Sequence, residues 1–130
     1  MKKILVVNND FDTMSLLKSW LEKKTYEVKF TGNQKEVPRI MKEFAPELVI
    51  VDVIQKEVAE QLKINKKTRS VPVLLMTGYT LRQMNNQLPV DDTIEKPFNL
   101  HLLEKKIERL IRKSAWDIVS REPAPLFFDG

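Results

Sequence analysis

The stretch P-E-L-V-I-V-D at residues 46–52 constrains the fold more than any other part of the chain. Four consecutive aliphatic residues, introduced by Pro46 and stopped by Asp52, read as a strand buried on both faces that delivers a carboxylate to its carboxyl end. Three further runs end the same way: I-L-V-V before Asn8, V-L-L-M before Thr77, and the weaker D-T-I-E before Lys96. In an open parallel sheet the carboxyl ends of the strands share one edge, and ligands bind in the crevice outside it. Asn8, Asn9, Asp10, Asp52, Thr77 and Lys96 are therefore expected to converge.

Between these strands the pattern switches to helical spacing. Asp10 or Asp12 can accept hydrogen bonds from free amides at the start of a first helix. That helix carries Met14, Leu17 and Leu21 on one face, widened by Leu16 and Trp20, and ends near Lys23. Residues 26–31 alternate, with Val28 and Phe30 on one side, as a strand near the sheet edge would, and Gly32-Asn33 supplies a turn. Pro38 is tolerated only in a first helical turn, so the second helix is expected to start near Val37 and run to Phe44. After Asp52, Ile54, Val58, Ala59 and Leu62 allow no more than a short helix. Residues 71–76 and 90–95 read as strands, and residues 79–88 as a two-turn helix. Asn99 caps the clearest helix, in which Leu102, Leu103, Ile107, Leu110 and Ile111 recur at three- and four-residue spacing. Five strands alternating with five helices imply a parallel sheet covered on both faces, because right-handed crossovers place helices there.

A chain of 130 residues with 42% apolar composition fits one domain that buries a core without staples. It has no cysteine, which removes thiolate chemistry and Cys-ligated metals and points to a cytoplasmic location. The first apolar run is too short for a signal peptide, and no run approaches membrane-spanning length. The net charge of +4 comes from 22 basic against 18 acidic residues, and the scattered lysine pairs read as solvated helix faces rather than a nucleic-acid footprint. His101 has no second histidine or cysteine to join, so it reads as a solvated helix residue.

Taken together, I-L-V-V-N-N-D, P-E-L-V-I-V-D, V-P-V-L-L-M-T-G and D-D-T-I-E-K-P-F resemble, in order and spacing, the receiver domains of two-component response regulators. The resemblance covers about Lys2 to Ser114, so residues 1–114 are expected to form a receiver domain and 115–130 a tail or linker. It implies a flavodoxin-like three-layer α/β sandwich, with a five-stranded parallel sheet in the order 2-1-3-4-5. It further implies that Asp52 accepts a phosphoryl group from a histidine kinase or phosphotransfer protein, that Thr77 is the switch hydroxyl, and that Lys96 pairs with the phosphoryl group. Any catalysis is limited to phosphoryl transfer onto Asp52 itself. The proline after the lysine, here Pro97, usually follows a cis peptide bond in the family.

Several positions depart from the family pattern. The two acidic residues that hold Mg²⁺ in the family match Asn8 and Asn9, which are neutral. Mg²⁺ is a hard ion bound through carboxylates and water, so amides remove most of its attraction. The expectation is a Mg²⁺ held weakly or not at all, by Asp10, Asn9, Asp52 and the backbone carbonyl of Ile54. With fewer competing carboxylates, Asp52 should pair directly with Lys96. The aromatic switch position matches Thr93, which has no ring to rotate. The tail carries Trp116, Ile118, Leu126, Phe127 and Phe128 beside Pro123 and Pro125; it reads either as a connection to an effector domain or as a segment docking in a groove.

Three function classes follow. The first is a phosphorylatable receiver in phosphorelay signalling, and the second a receiver-like protein-binding module that works without phosphate. The third, a flavodoxin-like electron carrier, is disfavoured because N-N-D-F-D-T-M lacks glycine and adds acid where a phosphate would sit. No glycine-rich nucleotide loop occurs in the sequence.

Overall fold

Three aliphatic runs make the centre of a five-stranded sheet: β1 (Lys3–Val7), β3 (Leu48–Asp52) and β4 (Val73–Thr77). Every residue of β3 and β4 is buried, as expected of strands covered on both sides. The edge strands β2 (Glu27–Thr31) and β5 (Asp92–Glu95) are shorter of apolar residues and only partly buried. The order is β2-β1-β3-β4-β5 and every pairing is parallel. The computed structural model describes residues 1–78 and 89–121, with 114–121 described by backbone alone. The helix expected over residues 79–88 lies outside the described residues, as do the side chains of Trp116 and Ile118 and residues 122–130.

Alternation along the strands builds two cores. Ile4, Val6, Ile50, Leu74 and Met76 face Leu17 and Leu21 of α1 (Phe11–Lys23) and Leu103, Ile107 and Leu110 of α4 (Leu100–Arg121). Leu5, Val7, Val49, Val51 and Leu75 face Ile40 and Met41 of α2 (Val37–Phe44) and Val58 and Leu62 of α3 (Lys56–Ile64). Fully burying one such aliphatic side chain stabilises the fold by roughly 1.5–3 kcal/mol relative to leaving it in water. Two packed faces are thus the main source of stability, and they leave the strand ends free to carry polar groups.

Local details explain where elements start and stop. Asn33 accepts a hydrogen bond from the Lys35 amide and opens a 3-10 turn, Gln34–Glu36, that leads into α2 with Pro38 in its first turn. The helix ends at Ala45 in the left-handed region, φ 51°, immediately before Pro46. Strand β4 begins at Val73 rather than 71, since Pro72 has no amide to pair. Asn99 Oδ1 accepts from the amides of His101 and Leu102 at 2.8 and 3.2 Å and so caps α4.

Some apolar residues assigned to helix stripes prove to be exposed. Leu16 and Leu102 sit on the rims of their helices, where the buried i, i+4 pairs Leu17/Leu21 and Leu103/Ile107 set the inward direction. Ile54 is 76% exposed because it belongs to a 3-10 turn, Val53–Gln55, and not to α3. Helix α4 continues past Ser114 to Arg121. His101 is exposed.

Candidate functional site

The strand register gathers the expected residues at one edge. Val7 pairs with Val51, so Asn8 and Asp52, one residue further on, end neighbouring strands side by side. Both follow the alternation of Val6 and Ile50 and therefore share the α1/α4 face of the sheet. Asp52 pairs with Met76, which places Thr77 just beyond it, and Thr77 pairs with Glu95, next to Lys96.

Asp52 is 3% exposed, and both of its carboxylate oxygens are engaged. Oδ1 lies 2.5 Å from Lys96 Nζ, and Oδ2 accepts from the Ile54 amide at 3.0 Å. The second contact closes an Asx turn that starts the 3-10 segment and swings Ile54 outward. Lys96 is held from its backbone too, its amide donating to the Thr77 carbonyl at 2.6 Å, and the Lys96–Pro97 peptide is cis. The Lys96 side chain is 30% exposed, so its ammonium closes the mouth of the crevice over a buried carboxylate. Thr77 is buried.

The loop after β1 differs in chemistry from an acidic pair. Asn8 is fully buried, and its Oδ1 accepts from the Asp10 amide at 2.5 Å. An amide donor can only be met by the oxygen end of a carboxamide, so this contact fixes the orientation of Asn8. Among the described residues no partner meets its buried Nδ2, and a buried donor has to find one, because leaving it unmet costs about 1–3 kcal/mol. Asn9 is exposed, and its Cβ lies 2.9 Å from where a Cβ on Gly32 would stand, so only glycine fits at 32. Asp10 is exposed at the start of α1, where the Thr13 hydroxyl donates to its Oδ2 at 2.5 Å. That bond, above all, holds the Asp10 carboxyl below the usual carboxylate value; the amides of Asp12 and Thr13 and the charge of Lys96 act in the same direction, against desolvation. Among the described residues no three acidic, histidine or cysteine side chains group as a metal site.

Gln55 had no signal in the sequence, because a lone glutamine in a short turn belongs to no periodic pattern. It is buried, and its Nε2 donates to the Gly32 carbonyl at 2.9 Å, tying the turn after β3 to the turn after β2. At the opposite edge of the sheet, Asp92 is gripped by Lys106, at 3.0 Å, and by Arg109, and Asp91 pairs with Lys63 at 2.6 Å. These pairs fasten β5 to α4 and to α3 and lie away from the crevice.

Residues 4–108 match the family model of the response regulator receiver domain, and the chain belongs to that family. It is 32% identical over 120 residues to the transcriptional regulatory protein CpxR homolog of Haemophilus influenzae, covering 88% of this chain and 52% of that protein. The chain thus spans about half the length of that relative. Its fold is similar to the receiver domain of a signal transduction histidine kinase from Syntrophus aciditrophicus, with a TM-score of 0.80 and 26% identity over 96% of this chain and 97% of the other. It is similar also to the receiver domain of a sensor histidine kinase from Pseudomonas aeruginosa, with a TM-score of 0.76 and 18% identity over 85% and 97% of the two chains. That structure has a magnesium ion coordinated in its active-site cleft. The present chain is a response regulator receiver domain of two-component signalling. No helix among the described residues is long and apolar enough to cross a membrane.

Proposed function

We propose that this receiver domain takes a phosphoryl group onto Asp52 from a histidine kinase or phosphotransfer protein. The observation that carries the reading is the buried Asp52 carboxylate, 2.5 Å from Lys96 at the carboxyl edge of the sheet. In the transfer, an Asp52 carboxylate oxygen forms a bond to phosphorus while the bond from phosphorus to the donor's imidazole nitrogen breaks. The electron pair leaves with the nitrogen, and Asp52 becomes an acyl phosphate. Lys96 offsets the negative charge of carboxylate and phosphoryl group as they approach, a contribution of the kind that dominates phosphoryl transfer. Thr77, at the adjoining strand end, is the switch hydroxyl of this reading.

Mg²⁺ fits this donor set poorly. Asn8 turns a donor, not an acceptor, out of its free end, Asn9 is neutral, and the Asp52 oxygens are already taken by Lys96 and Ile54. The remaining acidic candidate, Asp10, is bound to Thr13 at the helix start. The Ile54 carbonyl adds no charge.

The output of a domain half the length of its curated relatives passes to an effector domain or partner protein, with residues 115–130 as the connection, in the cytoplasm. A second reading, a binding module that works without phosphate, is favoured by the neutral Asn8 and Asn9. Acetyl phosphate treatment followed by phosphate-affinity electrophoresis separates the two. A retarded band that is lost in Asp52→Asn supports the phosphoacceptor reading, and no retardation under any donor supports the binding module.

A further inference from the structure

We propose that Asn8 takes over the part of the metal: its carboxamide donates a hydrogen bond to the phosphoryl group on Asp52, and the crevice holds that group without a divalent cation. This inference rests on the phosphoacceptor reading of Asp52 and adds to it the identity of the stabilising group.

Three observations lead to it. Asn8 ends the strand next to Asp52 on the same face of the sheet. It is completely buried, so its carboxamide is a built element of the fold and not a surface group. Its oxygen end is committed to the Asp10 amide, and among the described residues the Nδ2 donor has no partner. A free donor suits an anionic oxygen and opposes a cation. Lys96, from the strand end on the opposite side of Asp52, supplies the only positive charge that pairs with it among the described residues.

Charge counting supports the same conclusion. A phosphoryl group brings about −1.5 to −2 at neutral pH, while phosphorylation of the carboxylate removes the negative charge of Asp52 itself. In a site with two carboxylates beside the phosphoryl group, a divalent cation is needed to cancel them. With two carboxamides in their place those two charges are absent, the one acidic side chain left next to them is the exposed Asp10, and Lys96 faces the phosphoryl group with the same net surroundings. A preorganised neutral donor then stabilises the developing negative oxygen directly.

The test compares phosphorylation by phosphoramidate in metal-depleted buffer and in saturating Mg²⁺, read as phosphorylated fraction against time by intact-protein mass. The native chain should react at rates that differ by no more than about twofold between the two buffers, whereas Asn8→Asp should need Mg²⁺ to react, by about tenfold or more. Removing the donor in Asn8→Ala should slow the metal-free reaction by about tenfold or more. Each ratio with and without Mg²⁺ is taken on one folded sample, so a change in stability between variants does not enter it. A native chain that reacts well with Mg²⁺ and tenfold more slowly without it would overturn this inference and leave Asp52 as phosphoacceptor. No reaction in either buffer would overturn both.

Discussion

Lys96 and Asp52 are separated by 44 positions in sequence, yet Nζ and Oδ1 stand 2.5 Å apart, with the aspartate side chain buried and the lysine side chain partly in solvent. That asymmetry decides what breaking the pair does. Among the described residues, Lys96→Met leaves an interior carboxylate with only the Ile54 amide to satisfy it, whereas Asp52→Asn leaves an ammonium that can turn outward. Breaking a fully buried pair costs about 3–5 kcal/mol. With Lys96 partly solvated and screened, Lys96→Met should cost about 2–3 kcal/mol. Asp52→Asn should cost about 1 kcal/mol or less. Urea unfolding at pH 7 measures both, and equal losses would contradict the asymmetry.

A pH effect follows from Asp10. The Thr13 hydroxyl is the main cause that holds its carboxyl below the usual 3.8 in the folded chain. A group whose folded value is depressed contributes stability that is complete above its unfolded value and is lost as pH falls through the folded one. The stability difference between the native chain and Asp10→Asn should therefore shrink as pH drops below about 3.8. Thr13→Val should move the Asp10 titration, followed by carboxyl carbon resonances, up toward its ordinary position. An unchanged titration in Thr13→Val would show that the hydroxyl is not the cause.

Much of this fold is legible because strands buried on both faces are written as unbroken aliphatic runs, and a run must stop where the sheet ends. The stops are Asn8, Asp52 and Thr77, and a parallel sheet brings such stops to one edge whatever their separation in sequence. Lys96 is legible for the same reason, although β5 buries only Ile94 at depth. What was not legible depends on direction and on contacts between turns. Leu16, Ile54 and Leu102 are apolar, yet identity does not reveal which side of a helix or turn a residue occupies. The Asx turn of Asp52 decides the orientation of Ile54, and it arises only once Oδ2 meets the Ile54 amide. Gln55 acquires its place from Gly32, which is distant in sequence. The orientation of Asn8 is set by the Asp10 amide, a contact that residue types alone do not specify.

Restoring charge at the loop after β1 should make stability depend on a cation. Asn8→Asp with Asn9→Asp places one new carboxylate in the buried position beside Asp52 and one at the surface, with little change in side-chain size. Like-charge repulsion and burial should lower stability by about 1–3 kcal/mol in metal-free buffer at neutral pH. Mg²⁺ that binds only the folded form should return it by mass action. The native chain, by contrast, should melt at the same temperature with and without Mg²⁺. A Mg²⁺-dependent melting temperature in the native chain would show that Asn8, Asn9 and Asp10 are adequate ligands.

The central claim is that Asp52 itself carries the phosphoryl group, and reductive trapping tests it most directly. Borohydride converts an aspartyl phosphate to homoserine and leaves a free carboxylate untouched. After reaction with a phosphodonor, peptide mass analysis should find homoserine at position 52 in the native chain, at none of Asp10, Asp12, Asp91 or Asp92, and nowhere in Asp52→Asn. Homoserine at another aspartate, or none at position 52 under any donor, would contradict the account.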